Sequence, residues 1–523
     1  MKAKFDGRGM EKGDIIEQIF DNRGLDIDTI LHPTEDDLIP LTALRNIEKA
    51  FKIVDDGLAD GKSFLIWADV DVDGITSAAI MFRYLTNYTD KVSVCINSGK
   101  AHGVKEYTNT REDIIIVVDS IDYFGYYRAM LNQGKQVIIL DHHEIPNDDL
   151  PNYDLPDIAL VSSTNNYPNK ELSGAGVVWK FCTYLDEMNL ENYAENLVDL
   201  AACGLVADMV DLTVPENRYI CDMGFNNLNN PAVKAIVGGY KFNSQAVSFS
   251  IAPLVNAANR MDENEKALSI FLTDDEADIK ATVKELKALK AQQDSIVKNL
   301  MNTVQEQIDK QKDSKVICVI TKGDNFSGLL ANQIGGTYQK PVIITKIDGD
   351  MVKGSGRGGY GTTDFMSLCN QTELAWCAGH PNAFGISIEK RDYMHFVHKL
   401  NEIMQNITLD QTEEADVELS LENITDDLID SFKFINRISG TGFTPLSVCM
   451  NDLTGYEVGT MSQGKHLKIC FGDFLIIQWN FKDDISQFDG RPISVIGTLD
   501  SCYFGRTYYK QLVVQDIKVG DSA

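Results

Sequence analysis

The chain has no C-x-x-C pair and no apolar run approaching the ~18 residues that a membrane span needs. Its start, Met1-Lys2-Ala3-Lys4-Phe5-Asp6, lacks the apolar core of a signal peptide. These absences exclude a zinc ribbon and an integral membrane protein, and they predict a soluble, cytoplasmic one. Ten cysteines are scattered through 523 residues, so no disulfide framework is indicated and most should be small buried hydrophobes. Basic charge is scarce too: 48 Lys and Arg against 77 Asp and Glu leave a net charge of −29. That balance argues against non-specific duplex binding, because phosphate contacts need cationic side chains. From Asp410 to Asp430 there are nine acids and no Lys or Arg, a run that reads as a solvated connector. Repeats and low-complexity tracts are also missing. With 44% hydrophobic residues the chain can bury several cores, and two to four domains are expected.

What is present is acid at the ends of apolar runs. Ser63-Phe64-Leu65-Ile66-Trp67-Ala68 leads into Asp69-Val70-Asp71-Val72-Asp73-Gly74. If the chain stayed extended, alternation would put Asp69, Asp71 and Asp73 on one side, where like charges need cations to neutralise them. An EF-hand calcium loop also begins D-x-D-x-D-G, but it needs a Glu at position twelve, and that residue is Ile80. Ile114 to Val118 leads into Asp119, Val137 to Leu140 into Asp141-His142-His143, and Leu205-Val206-Ala207 into Asp208. Short β-branched runs separated by helix-like segments predict a parallel α/β sheet, in which ligands gather beyond the carboxyl ends of the strands. One Asp after a strand is ordinarily a helix N-cap. Four acid or histidine clusters on one edge are better explained by a site for two metal ions.

These clusters resemble the motifs of the DHH phosphoesterases: D-V-D-V-D-G, the lone Asp119, Asp141-His142-His143, and Gly204 to Leu212 (G-L-V-A-D-M-V-D-L). Further motifs narrow the resemblance to the RecJ family of single-strand-specific DNA exonucleases. They are Glu171 to Val177 (E-L-S-G-A-G-V), Pro215-Glu216-Asn217-Arg218, Ile251 to Met261, and Gly354-Ser355-Gly356-Arg357. The similarity runs in the family's order from about Asp37 to Ile517. It implies that Asp71, Asp73, Asp119, His142 and Asp208 bind two ions, Mn²⁺ or Mg²⁺, with Asp119 bridging them. Asp69 and Asp141 would orient ligands from behind, and His143 would contact the phosphate or protonate the leaving 3′ oxygen. Asp119, His142 and His143 are the implied catalytic residues. Trp67 stands where some wider relatives carry a histidine, which favours the exonuclease branch over pyrophosphatases.

The expected order is an N-terminal helical segment (1–62, with Leu41, Leu44, Ile47 and Phe51 at helical spacing) and a parallel-sheet DHH domain (63–262). A long connecting helix (263–310) without Pro or Gly follows, then a second, smaller α/β lobe (311–408) and the acidic connector (409–430). Short strands with glycine turns fill 431–523, where the family places an OB-type β-barrel.

For substrate, the resemblance places Gly354-Ser355-Gly356-Arg357 opposite the metals, with Ser355 donating to a phosphate and Arg357 pairing with it. Ala378 to Gly385 is similar to the family's G-G-H-x-x-A-A-G turn with Phe384 for the second Ala; it makes His380 a candidate contact, and Arg260 would face the same channel. The family's phosphate-binding Arg is missing from Ile96 to Gly103, where Lys100 could substitute only as a point charge. The family's P-F-G-x-G-N stretch reads Ile438-Ser439-Gly440-Thr441-Gly442-Phe443 here. On the predicted barrel, Lys465, Lys468, Arg506 and Tyr508, with His466, Arg491, Lys510, Tyr456, Tyr503, Phe504 and Tyr509, are candidates for tracking a strand by charge and stacking. The implied activity is metal-dependent 5′→3′ digestion of single-stranded DNA by a monomer, with a single-strand-binding protein or helicase as candidate partners. The alternatives are a phosphodiesterase for short oligonucleotides or cyclic dinucleotides, and an inactive replication scaffold.

Overall fold

The structure is a computed structural model and describes residues 1–98, 103–104, 109–145, 150–322, 326–409, 414–504 and 507–520. The chain enters with a short strand, β1 (Lys2–Asp6), whose partner lies near the other end of the sequence. The next five strands are β2 (Phe64–Ala68), β3 (Val92–Ile96), β4 (Ile114–Val118), β5 (Gln136–Asp141) and β6 (Ile158–Ser162). They form an all-parallel sheet in the order β3-β2-β4-β5-β6. β2, β4 and β6 are buried at every residue, as expected of β-branched runs with helices on both faces. This is the parallel α/β sheet that the apolar runs predict.

Three expectations fail locally. Leu205-Val206-Ala207 is no strand: it ends the helix Val198–Ala207, and Asp208 follows as the C-cap. That helix is buried from Val198 to Val206, so an apolar run of this length carries no periodicity to separate the two forms. The helix expected over 263–310 is two, Asn264–Leu272 and Glu276–Asp309. The break falls at Thr273-Asp274-Asp275, where the Asp275 carboxylate accepts from the backbone N–H groups of Ala277 and Asp278 and caps the second helix. Of the four residues at helical spacing near the start, Leu41 lies in a 3₁₀ turn and the helix runs Ile47–Ala59.

The chain divides into two compact units, residues 1–287 with 413–523, and residues 288–412. The second unit is a mixed sheet of β7 (Ile317–Ile320), β8 (Val342–Asp348), β9 (Met351–Arg357), β10 (Ala375–His380) and β11 (Ala383–Glu389). Its order is β10-β11-β9-β8-β7, with only β7 and β8 parallel. Helix Ser327–Tyr338 and the last turns of Glu276–Asp309 bury Val342 and Ile344 on one face. Helix Tyr393–Gln405 buries Val352, Ile386 and Ile388 on the other.

The first unit also holds an eight-stranded sheet, and here the domain expectations need correction. Its strands are β1, β12 (Glu414–Glu418), β13 (Val448–Leu453), β14 (Glu457–Met461), β15 (His466–Phe471), β16 (Phe474–Gln478), β17 (Ile493–Phe504) and β18 (Thr507–Val519). They run in the order β1-β12-β13-β17-β18-β16-β15-β14. Among the described residues no pairing joins β14 to β1, so no closed barrel is formed. The acidic run is not a solvated connector either. It supplies β12 and the helix Asp426–Asn436, and Asp416 is buried against Arg23, which donates to both its carboxylate oxygens at 2.9 and 2.6 Å. The N-terminal segment is correspondingly more than helical: β1 pairs parallel with β12, and Ile15, Ile19 and Phe20 share one core with Leu428, Phe432, Val448 and Leu512. Among the described residues no helix is long and apolar enough to cross a membrane.

Candidate metal centre

β2 delivers Asp69 at its carboxyl end, and the chain then turns at once into the helix Val72–Leu85. The three acids are therefore not set on one side by strand alternation. Asp71 is the N-cap, its carboxylate accepting from Gly74 N–H at 3.0 Å, while Asp73 projects from the first turn. β4 ends at Asp119, whose φ of +53° is left-handed, an unusual conformation for a non-glycine residue. β5 ends at Asp141, with His142 and His143 just beyond, and Asp208 comes from the end of its helix.

These groups converge. His142 Nε2 lies 3.2 Å from Asp119 Oδ1 and 4.0 Å from Asp73 Oδ2, and its Nδ1 is 3.7 Å from Asp208 Oδ2. Ligand atoms come within 4.8 Å of one another in three groups: Asp69, Asp71 and Asp119; Asp73, His142 and Asp208; and Asp119, His142 and His143. Asp69, expected behind the ligands, is thus grouped with Asp71 and Asp119. Asp141 stands back and accepts from His143 Nδ1 at 2.8 Å. That hydrogen bond is the main cause of raising the His143 pKa to about 9.

The donor set fits divalent cations. Asp119 Oδ1 is buried without a hydrogen-bond partner although the imidazole nitrogen is 3.2 Å away, a spacing natural to two ligands of one ion. Burial, then Asp73, Asp71, Asp141 and Asp69, push the Asp119 carboxyl far above its ordinary range. Burial and the neighbouring Asp73 carry Asp208 to about 8 and Asp71 to about 6. Carboxylates so crowded stay ionised together only if positive charge sits among them.

Sequence reasoning missed what holds Asp73. Ser173 Oγ and Ala175 N–H donate to its Oδ1 at 2.9 and 3.0 Å, and Gly174 N–H donates to Oδ2 at 2.7 Å. The start of helix Gly174–Asn189 therefore binds an internal anion. Oδ1 thus accepts two hydrogen bonds, and Oδ2, which accepts one, keeps a lone pair for a metal. A Cβ on Gly174 would stand 2.6 Å from the Asp119 carboxylate, and one on Gly204 would stand 2.2 Å from Asp73 Oδ1. The signal was the S-G-A-G opening of an apolar helix. Asn217 was also missed: buried, it donates to the carbonyls of Glu171 and Asp211, tying the Ser173 loop to the segment after Asp208. Within Ile251 to Met261, Asn259 reaches the site by donating to Val70 O at 3.1 Å, whereas Arg260 donates to Asn256 O.

In the second unit, Ser355 and Arg357 lie on β9, and His380 is exposed at the end of β10. Ser355 Oγ is 2.8 Å from Ser327 Oγ. Phe384, which stands for the family's second Ala, is buried. It points into the core beside Phe365, and its ring fills the space that a Cβ on Gly356 would need. Lys100 and Arg506 lie outside the described residues. On the eight-stranded sheet, Lys468 sits 5.7 Å over the Tyr509 ring, Tyr503 and Tyr508 are 5.4 Å apart, and Lys465 is exposed. Tyr456 instead donates to the carbonyls of Phe488 and Arg491, and Lys510 donates to Ile424 O at 3.1 Å and lies 3.5 Å from the exposed Asp473 carboxylate. Ile438 to Phe443 keeps a turn that docks on the Asp208 segment, with Leu212 N–H donating to Thr441 O at 3.0 Å.

A parallel sheet whose carboxyl edge gathers these acids and imidazoles defines a DHH-type domain, and residues 63–205 match the DHH family, N-terminal domain. The particular likeness is to RecJ. A candidate SPbeta prophage-derived single-strand DNA-specific exonuclease of Bacillus subtilis (strain 168) is 29% identical over 462 residues, 80% of this chain and 79% of that one. The single-stranded-DNA-specific exonuclease RecJ of the same organism is 27% identical over 443 residues, 79% of this chain and 54% of its own length. In fold, RecJ from Thermus thermophilus, solved in complex with Mn²⁺, matches with a TM-score of 0.79 at 23% identity, covering 97% of this chain and 76% of that one.

Proposed function

We propose that this chain is a divalent-metal-dependent exonuclease that digests single-stranded DNA from the 5′ end and releases 5′ mononucleotides. The observation that carries the reading is the cluster at the carboxyl edge of β2, β4 and β5, where Asp119 and His142 each belong to two of the three ligand groups. Asp71, Asp73, Asp119, His142 and Asp208 would hold two ions, Mn²⁺ or Mg²⁺, with Asp69 close enough to join them. When bound, the ions neutralise charge on the phosphate and lower the pKa of the attacking water. The chain's own residues do the rest. Ser173 and the first N–H groups of its helix fix Asp73, and Gly174 lets Asp119 approach. Asp141 holds His143 with Nδ1 engaged, leaving a half-exposed protonated imidazole to contact the phosphate or give its proton to the leaving 3′ oxygen. Ser355 and Arg357 would grip a phosphate, and Lys465, Lys468 and Tyr508, on a C-terminal region used as an OB-type fold would be, would hold the strand further along. The polarity, a monomeric state, a cytoplasmic site of action in DNA repair and recombination, and a single-strand-binding or helicase partner rest on the likeness to RecJ.

The test measures Mn²⁺-dependent nucleotide release from 5′- and 3′-labelled single strands, with a chelator control. Early release of only the 5′ label supports the reading. Activity confined to dinucleotides would point to an oligonucleotide phosphodiesterase, and no activity with metal bound would point to a scaffold.

Arg357 supplies a separate prediction. Its guanidinium donates to Gly356 O and, being a cation, cannot ligate one. Arg357→Ala should therefore raise KM at a cost of about 1.5–3 kcal/mol, with Mn²⁺ affinity unchanged. Unchanged kcat and KM would return the motif to a structural turn.

A further inference from the structure

On the second unit's sheet, the face left open by helix Ser327–Tyr338 carries an unexplained tryptophan. Trp376 on β10 is 67% exposed. The register sets three rows across β10, β11 and β9: Trp376–Ser387–Lys353, Ala378–Gly385–Ser355 and His380–Ala383–Arg357. Alternation puts all nine residues on one face, and the opposite face holds Cys377, Ile386 and Phe384 against the core. The middle strand contributes only Ala383, Gly385 and Ser387, so the centre of the face is nearly bare backbone. Trp376 and Lys353 stand on either side of a groove of about 450 Å³ floored by Gly385 and Ser387. Trp376 is about 13 Å along β10 from His380 at the strand's ordinary rise. Among the described residues Lys353 pairs with the exposed Asp348 carboxylate, at 2.8 Å, and such surface pairs exchange readily for another anion.

We propose that Trp376 is a base-stacking platform for single-stranded nucleic acid, one or two nucleotides along from a phosphate held at Ser355 and Arg357, with Lys353 meeting the intervening backbone. An indole beside a bare strand offers a base an unobstructed π-face, and stacking of this kind tolerates any sequence. Lys353 and Arg357, both on β9, complement a polyanion that the chain's overall charge would otherwise repel. The proposal rests on the reading of the chain as a single-strand nuclease and adds a subsite to it.

The experiment uses the full chain. Binding of oligothymidylate is followed in chelator by tryptophan fluorescence and by anisotropy of a labelled strand, and hydrolysis is followed in Mn²⁺. Trp376→Ala should raise Kd and KM about 5- to 100-fold, the equivalent of one lost stack, while kcat stays within about twofold. Trp376→Phe should recover most of the affinity, and the quenching seen with wild type should fall in both variants. Trp376→Ala binding and quenching like wild type, while wild type binds and cuts single strands, would overturn this subsite alone. A wild-type chain that neither binds nor cuts them would overturn the subsite and the exonuclease reading together. Circular dichroism checks the fold, which an exposed side chain should not disturb.

Discussion

Asp119→Asn should abolish nucleotide release in Mn²⁺ while leaving the chain folded. The amide keeps the shape that fits against Gly174 and tolerates φ of +53°, whereas alanine in that conformation adds about 1–2 kcal/mol of strain, so asparagine isolates the charge. Asp119 is the carboxylate closest to His142, its Oδ1 is buried without a hydrogen-bond partner, and the residue belongs both to the group with Asp69 and Asp71 and to the group with His142 and His143. Losing its charge therefore strips a ligand from both halves of the cluster. Without metal the variant should be no less stable than wild type, because it removes a buried carboxyl that folding must either protonate or leave charged among like charges. The thermal shift that Mn²⁺ produces in wild type should shrink in proportion to the lost affinity. A tenth of wild-type activity retained would remove Asp119 from the shared position. The same crowding sets a pH dependence in the metal-free protein. With Asp71 raised to about 6 and Asp208 to about 8, the folded chain holds protons that the unfolded chain has released above about pH 4. Stability should therefore fall as pH rises from about 4 to 8, and Mn²⁺ should offset the loss.

Most of this centre was legible because its strands are short, β-branched and wholly buried, and each announces its end with an acid. Asp119 and Asp141-His142-His143 sit where a parallel sheet must expose its carboxyl edge. Asp208 came to the right neighbourhood for the wrong reason, since a buried helix and a buried strand look alike over three apolar residues. Ser173 and Asn217 were harder to see, because their importance lies in hydrogen bonds to Asp73 and to the Asp211 carbonyl across gaps of 100 and 6 residues. The greatest error was at the ends. Lys2-Ala3-Lys4-Phe5-Asp6 and Glu414-Ala415-Asp416-Val417-Glu418 are short alternating segments, and neither indicates by itself that it pairs with the other. Nine acids without a base read as solvent-facing because the base that neutralises Asp416, Arg23, lies 393 residues away. Long-range pairing of this kind leaves no local periodicity to find.

That pairing reverses what a truncation should do. Sequence alone predicts that a chain ending near Thr408 keeps its metal site and still cuts very short oligonucleotides, losing only its grip on long strands. The structure predicts failure on both. Ile15, Ile19 and Phe20, each at most 1% exposed, pack into the core built by Leu428, Phe432 and the eight-stranded sheet. Uncovering three such side chains forfeits roughly 1.5–3 kcal/mol each, a sum comparable with the whole stability of an ordinary domain. Arg23 loses both oxygens of Asp416 and the carbonyls of Thr444 and Pro445. Buried Arg218, from the helix that follows Asp208, loses Ile438 O and, among the described residues, keeps Ile30 O. Leu212 N–H loses Thr441 O four residues from Asp208 itself, so the damage reaches the metal centre. The 1–408 chain should aggregate or melt far below wild type and fail to hydrolyse a 5-mer in Mn²⁺. Removing residues 1–36 as well should restore part of the solubility, because the orphaned apolar surface leaves with them. Cutting of a 5-mer by the 1–408 chain at the wild-type rate, with an unchanged melting temperature, would mean that the N-terminal strand and helix do not depend on the C-terminal sheet.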